Sequence, residues 1–300
     1  MKSSTFAPST LAALAAVVAL ACTATNKTGF GGTGGEGAGT TGGGGAGATG
    51  TGGSFGGGLN TGGGTGGTTE LVAEVFGHSA SQLYMLDPVS KAVTTVGTFS
   101  GCSSVIDIAL DKDGAIYATT FDGLYRIDKT NAACTFVSSG GYPNSLSFVP
   151  VGTVDPNVEA LVGYQGDTYV RIDTSSGNVS TIGAIGGGYT SSGDIVSVIG
   201  GKTYLTAFGT GCPTDCLLEV NPTTGAMVHN YGLLTGYDNV FGLAFWGGAA
   251  YGFTDAGQLF QIDFAGNGVT TSPIAIPGAP AGLSFWGAGS ATSAPVIIPN

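Results

Sequence analysis

The chain has 300 residues, 57 of them glycine, with eight Lys and Arg against 19 Asp and Glu. From residue 68 onward six basic residues face 18 acidic ones, a net charge of −12. A surface of that sign lacks the basic patches that displace counterions from nucleic acid, and anionic lipid does not attract it. Nucleic acid is therefore excluded as a partner, and any membrane contact has to come from something other than charge.

The first element is an export signal. Lys2 precedes an apolar run from Leu11 to Ala21, the order of a secretory n-region and h-region. The run is too short to span a bilayer. It ends Val18-Ala19-Leu20-Ala21-Cys22, which resembles the bacterial lipobox, with Ala19 where a larger aliphatic residue is commoner. The resemblance implies a signal peptide over 1–21, a diacylglyceryl group on the Cys22 thiol, cleavage before it and acylation of the new amine. Two or more acyl chains anchor a protein stably where one does not. Thr23 follows and no Asp retention signal is present, which by resemblance to the known sorting rule points to the outer membrane. Ordinary cleavage near Ala21 and release is the alternative.

Residues 22–67 are mostly Gly, Thr, Ala and Ser. Such a segment buries too little apolar area to offset its ordering entropy. It reads as a flexible tether spanning roughly 35–40 Å, from about 5–6 Å times the square root of its length.

Beyond it one phrase recurs five times: LYMLDPVSKAVTTVG from Leu83, LYRIDKTNAACTFVS from Leu124, YVRIDTSSGNVSTIG from Tyr169, LLEVNPTTGAMVHNY from Leu217 and LFQIDFAGNGVTTSP from Leu259. Its polar anchors Asp87, Asp128, Asp173, Asn221 and Asp263 are 41, 45, 48 and 42 residues apart. Each copy reads as strand, turn, strand, with the Asp or Asn closing the first strand and accepting hydrogen bonds from the turn. Gly177, Gly225 and Gly266 supply positive φ; Asn131 substitutes in the second copy, and Lys91 in the first fits least well. Two more strands precede each hairpin. The second begins at Leu71, Ala115, Glu159, Thr203 and Ala249. The first centres on a small residue between bulky ones: Ala109, Ser147, Ser197, Ala244 and Ser284. Apolar alternation of period two dominates, and no helix is predicted from 68 to 300.

Four strands per repeat of about 44 residues is the signature of an all-β propeller. The copies are offset, entering at a second strand and leaving after a first one. The expected architecture is five four-stranded blades over 68–289. The last blade is closed by both termini: one strand from Gly282–Trp286 and three from residues 70–97. Residues 290–300 are expected to form a C-terminal tail. The LYxID…TG…T.IG hairpin resembles bacterial propeller repeats of the NHL and YncE-like kind. That resemblance covers about 70–288 and implies the fold, not an activity.

Four further cysteines in an exported chain predict two disulfides, Cys102–Cys134 and Cys212–Cys216. No metal site is expected, since His78 and His229 are far from the cysteines in sequence. Asp111-Lys112-Asp113-Gly114 reads as a hairpin turn rather than a calcium loop, and Trp246 and Trp286 read as core. The connections between blades carry Tyr142, Tyr189 and Tyr237, followed by Asn144, Asp194, Asp238 and Asn239. These seven residues are the candidate ligand contacts at the propeller mouth, with packing and turn formation as the competing roles. The function expected is a lipid-anchored, monomeric binding or scaffolding module of the cell envelope. It has no cofactor, takes an unknown protein or carbohydrate ligand, and touches the membrane through the anchor only. The alternative is a propeller enzyme such as a metal-dependent lactonase or a sugar-acting hydrolase.

Overall fold

A computed structural model describes residues 74–298. Cys22, the signal peptide, the tether and Leu71–Ala73 lie outside the described residues. Three strands open the fold: β1 (Val75–His78), β2 (Gln82–Leu86) and β3 (Val93–Thr98). Blade 1 follows with β4 (Val105–Leu110), β5 (Ile116–Thr120), β6 (Gly123–Ile127) and β7 (Cys134–Ser139). Blade 2 is β8 (Leu146–Val149), β9 (Ala160–Gln165), β10 (Thr168–Ile172) and β11 (Val179–Ala184). Blade 3 is β12 (Thr190–Ser197), β13 (Thr203–Gly209), β14 (Cys212–Val220) and β15 (Met227–Leu233). Blade 4 is β16 (Val240–Trp246), β17 (Ala249–Thr254), β18 (Leu259–Ala265) and β19 (Gly268–Ile274). Last comes β20 (Gly287–Ser290), which pairs with β1, so the closing blade runs β20-β1-β2-β3. All five sheets are antiparallel meanders, and the five-bladed propeller closed by both ends of the chain is the observed fold.

Three details correct the sequence reading. The closing strand is Gly287–Ser290, not Gly282–Trp286. Its partner is Val75–His78 rather than a strand starting at Leu71. The Leu-Ser-Phe phrase has the right composition but the wrong place: Phe285 packs edge-on against Tyr84 and Phe253 between blades. The inner strand itself needs small residues. A Cβ at Gly242 would lie 2.7 Å from the Cβ of Ala288, and one at Gly289 would lie 3.0 Å from the carbonyl of Ile108. In blade 3 the small residue is displaced by one: Val196 pairs with Tyr204, as Ala109 pairs with Tyr117 and Ala244 with Tyr251.

The hairpin turns follow the expected chemistry with two exceptions. Val89 N donates to Asp87 Oδ1 at 2.8 Å, and the same bond recurs at Asp128, Asp173 and Asn221. Asp263 instead stays inside β18, and the chain turns later at Gly266-Asn267. In the second copy the left-handed residue is Ala132 (φ 59°), not Asn131, whose side chain accepts from Ala133 N. Lys91 takes the equivalent place in the first copy at φ 62°. Asp111 closes a β-turn, accepting from Asp113 N and Ala115 N.

Both disulfides form. Cys102 precedes an inner strand and Cys134 opens an outer one, yet their Cα atoms are 5.6 Å apart. Twist accumulated over four strands turns the outer strand across the blade. Its start then meets the connection arriving from the previous blade, and Cys134 N donates to Ser100 O at 2.7 Å. Cys212–Cys216 does not join two strands. It closes a bulge within β14, where Ala207 pairs with Cys216 and Gly209 with Cys212.

After β20 the chain crosses the far end of the ring. Ala291 bridges Leu110, Ile199 N donates to Thr292 O, Ser293 Oγ donates to Lys112 O, and Gly247 N donates to Pro295 O. Residues 291–298 thus contact blades 1, 3 and 4. They cover one end of the axis, so access is from the other.

Two changes test closure. Deleting the chain from Gly287 strips β1 of a partner and uncovers the core of two blades; the product is expected to be insoluble or unfolded. Gly242→Ala forces two inner strands apart and is expected to cost about 1–3 kcal/mol by overpacking, read as a lower denaturation midpoint. An unchanged melt in either variant overturns the closure.

Candidate functional site

The inner strands run along the axis, and each presents one edge that has no strand partner. At one level they carry Asp107, Ser145, Asp194, Gly242 and Gly287. The residue before each of these forms a ring at the open end: Ile106, Asn144, Gly193, Phe241 and Trp286, one from every blade. With Phe121 from the β5–β6 turn they line a cavity of about 250 Å³. The walls are apolar apart from the Asn144 amide. Phe121 is 71% exposed.

Beneath the ring lie two fully buried carboxyl groups. Asp107 Oδ1 accepts from Ile108 N at 2.8 Å, and its Oδ2 accepts from Leu146 N of blade 2 at 2.7 Å. Asp194 repeats the arrangement with Ile195 N at 2.7 Å and Leu243 N of blade 4 at 2.6 Å. The two side chains meet. Burial pushes both carboxyls well above the ordinary range, and the neighbouring Asp194 raises Asp107 further. Burial and mutual proximity both disfavour ionisation of the pair.

His78 on β1 adjoins them. Its Nδ1 donates to Ser79 O at 2.9 Å, which leaves Nε2 as a bare acceptor. No partner reaches Nε2, nor the hydroxyl of Ser145, and both residues are fully buried. Burial lowers the imidazole pKa to about 4, with the Ser79 hydrogen bond opposing it. A side chain at Gly287 would collide with both Asp107 Oδ1 and His78 Nε2, so these atoms border the same point.

The seven residues singled out from sequence divide. Asn144 lines the cavity and Asp194 lies under it. The three tyrosines sit between blades and do not line the cavity. Tyr142 donates to Gly177 O at 3.1 Å, Tyr189 accepts from the Asn230 amide at 3.1 Å, and Tyr237 stacks on Phe260 at 3.6 Å. Asp238 and Asn239 are exposed, and Asn239 donates to Asp255 at 3.1 Å. Sequence reasoning missed Ile106, Phe121, Gly193, Phe241, Trp286 and His78. Trp286, expected in the core, is instead half-buried at the rim, because the closing strand starts one residue later. The available signal was positional: rim residues are those that enter each inner strand. A second cleft of about 350 Å³ lies at the seam of blade 4 and the closing blade. There Lys91 reaches across to Tyr251 OH at 2.7 Å, so its polar groups largely answer one another. Among the described residues no three His, Cys, Asp or Glu side chains could hold a metal ion.

The buried acids and the histidine give opposite pH signatures. His78, with its pKa lowered from 6.5 to about 4, costs stability as pH falls below 6.5 and is silent above it. The acids have raised pKa values, so the folded chain keeps a proton that the unfolded chain releases, and stability falls as pH rises through their folded values. As pH rises above the ordinary carboxylate range the pair is expected to add a falling component to the melting temperature, and Asp107→Asn, which keeps a donor toward Asp194, is expected to reduce it. An identical slope in the variant removes the proton from the pair.

No family model matches the chain, and no curated protein matches it. Among solved structures it is similar to a protein of unknown function from Bacteroides caccae, 14% identical over 71% of this chain and 77% of that one, with a TM-score of 0.38. It is similar to virginiamycin B lyase from Staphylococcus aureus, 15% identical over 66% and 64%, TM-score 0.37. It is also similar to an auxiliary nutrient binding protein from Bacteroides thetaiotaomicron, 15% identical over 64% and 54%, TM-score 0.37. Likenesses of this strength say nothing of what this chain binds or does.

Proposed function

We propose that this protein is a lipid-anchored binding module of the cell envelope that takes its ligand in the axial mouth. The observation that carries the reading is the ring of one residue from each of five blades, apolar and open at one end, with the other end covered by residues 291–298. A cavity of about 250 Å³ suits a small apolar or aromatic group, whether a partner protein's side chain or the apolar face of a sugar, and Asn144 supplies the polar contact that orients it. The two disulfides support an oxidising compartment outside the cytoplasm. Acylation at Cys22 would hold the module at the outer membrane, and the glycine-rich tether would carry it clear of the lipid surface.

Two measurements test this. Cys22→Ser is expected to move the protein from the membrane fraction to the soluble one, or to stall it as precursor; unchanged sedimentation with membranes overturns the anchor. For the mouth, Trp246→Phe leaves Trp286 as the sole tryptophan and a reporter of the rim. Envelope oligosaccharides and peptides that shift its emission are expected to bind at least tenfold more weakly to Phe241→Ala, with the melting temperature nearly unchanged. A ligand that binds both forms equally overturns the mouth as its site.

A further inference from the structure

The cavity at the open end is shallow. Directly beneath its rim the inner strands come into contact: a Cβ on Gly242 would lie 2.7 Å from that of Ala288, and one on Gly193 would lie 2.1 Å from Val240 O. The floor is about one residue down, a rise of roughly 3.3 Å, which is close to the thickness of one planar ring. Phe121 stands exposed around it, with Phe241 and Trp286 partly exposed. The stacked aromatic pairs among the described residues lie elsewhere, Tyr204 with Phe245 and Phe264, and Tyr237 with Phe260. The rim rings enter none of them.

Asn144 is the polar member of the rim, and it is exposed. The backbone on both sides of it is held in place. Pro143 O accepts from Thr119 Oγ1 at 3.1 Å, and Ser145 O accepts from Tyr164 N at 3.3 Å. The side-chain amides of Asn131, Asn230 and Asn239 are engaged within the protein; that of Asn144 meets no hydrogen-bond partner among the described residues. A carboxamide offers a donor and an acceptor side by side. No charged side chain lines the cavity.

We propose that the mouth binds a neutral nucleoside through its base, an uncharged planar ring whose edge carries a donor N–H beside an acceptor C=O, as uracil does. The inference rests on the mouth being the binding site. Shape and edge both favour such a ring. Asn144 pairs with it reciprocally: Nδ2 donates to the ring carbonyl, and Oδ1 accepts from the ring N–H. An open-chain secondary amide holds its N–H and C=O on opposite sides and meets only half of Asn144. The ring faces pack against Phe241 and Trp286, which keeps water from the two hydrogen bonds and strengthens them. Phosphate is not part of the ligand, because the acidic balance of the chain repels it. The buried side chains under the floor take no part.

The test is titration with uridine and 3-methyluridine, read by calorimetry on the unaltered protein and by Trp286 emission in Trp246→Phe. The two nucleosides differ only in the methyl group that replaces the ring N–H hydrogen. Uridine is expected to bind about tenfold more tightly, the discrimination of one bidentate carboxamide contact. In Asn144→Leu, uridine is expected to fall to the affinity of 3-methyluridine, which is itself unchanged, and the melting temperature is expected to hold. Equal binding of the two nucleosides to the unaltered protein overturns the paired edge and leaves the mouth as an apolar cup. A preference for uridine that persists in Asn144→Leu places the recognition elsewhere and also overturns it. Failure of uridine to bind overturns the nucleoside, while the mouth itself is judged separately by the Phe241→Ala comparison.

Discussion

Five inner strands each turn an unpaired edge toward one axis, and the polar backbone groups on those edges must find partners without adding a sixth strand. A buried N–H left alone costs about 1–3 kcal/mol. The chain answers from side chains of neighbouring blades. Asp107 takes the amide of Leu146, Ser147 that of Ser197, Asp194 that of Leu243, and Ser290 that of Phe245. Each bond runs from one blade to another, so the same interaction that satisfies the edge also locks the ring. Small side chains are required here for two reasons at once. They let the inner strands converge, and their short polar atoms reach the amide opposite.

Ring closure follows from the same constraint. A propeller open between its first and last blades would expose two edges and an apolar face. Pairing β20 with β1 removes one edge, and the chain beyond it runs across the far ends of the inner strands. Thr292 and Pro295 accept from the amides of Ile199 and Gly247, which lie just past the strand ends of blades 3 and 4. The ring is therefore asymmetric along its axis, covered by backbone at one end and bordered by side chains at the other. That asymmetry, more than the propeller itself, gives the molecule a front.

Much of this was legible in the sequence, and the failures share one cause. Repeat period, blade count, the offset that staples the ring and both cysteine pairings follow from spacing and compartment. The LYxID hairpins were readable because their turns obey local rules: an Asx bond and a left-handed fourth residue. The closing strand was not, because Gly-Ala-Gly-Ser carries no hydrophobic period. It is a strand only because the ring leaves a slot that nothing larger fits. Ala132, not the expected Asn131, and Lys91, the poorest match to the pattern, hold positive φ, since the turn is imposed by the strands it joins. The site was half legible. Asn144 and Asp194 were found through their place in the connections between blades. The tyrosines beside them were drawn into seams between blades, where a large amphipathic ring gains more from burial than from the mouth. His78 gave no signal, because nothing local distinguishes a strand-end histidine that faces the axis from one that faces solvent.

The floor of the mouth separates what the fold needs from what it does not. Of its five positions, Gly242 and Gly287 have no freedom: a Cβ at either would strike the opposing strand or the Asp107 and His78 side chains. The other three are open to choice, and serine would meet the structural demand, as Ser147 and Ser290 show by capping equivalent amides. Two of the three are instead aspartate. Burial disfavours the ionised form of both acids, and no Lys or Arg among the described residues pairs with them. Each acid accepts from two backbone N–H groups, one on its own strand and one on the neighbouring blade, so one side chain fixes its own strand and ties two blades together at the axis.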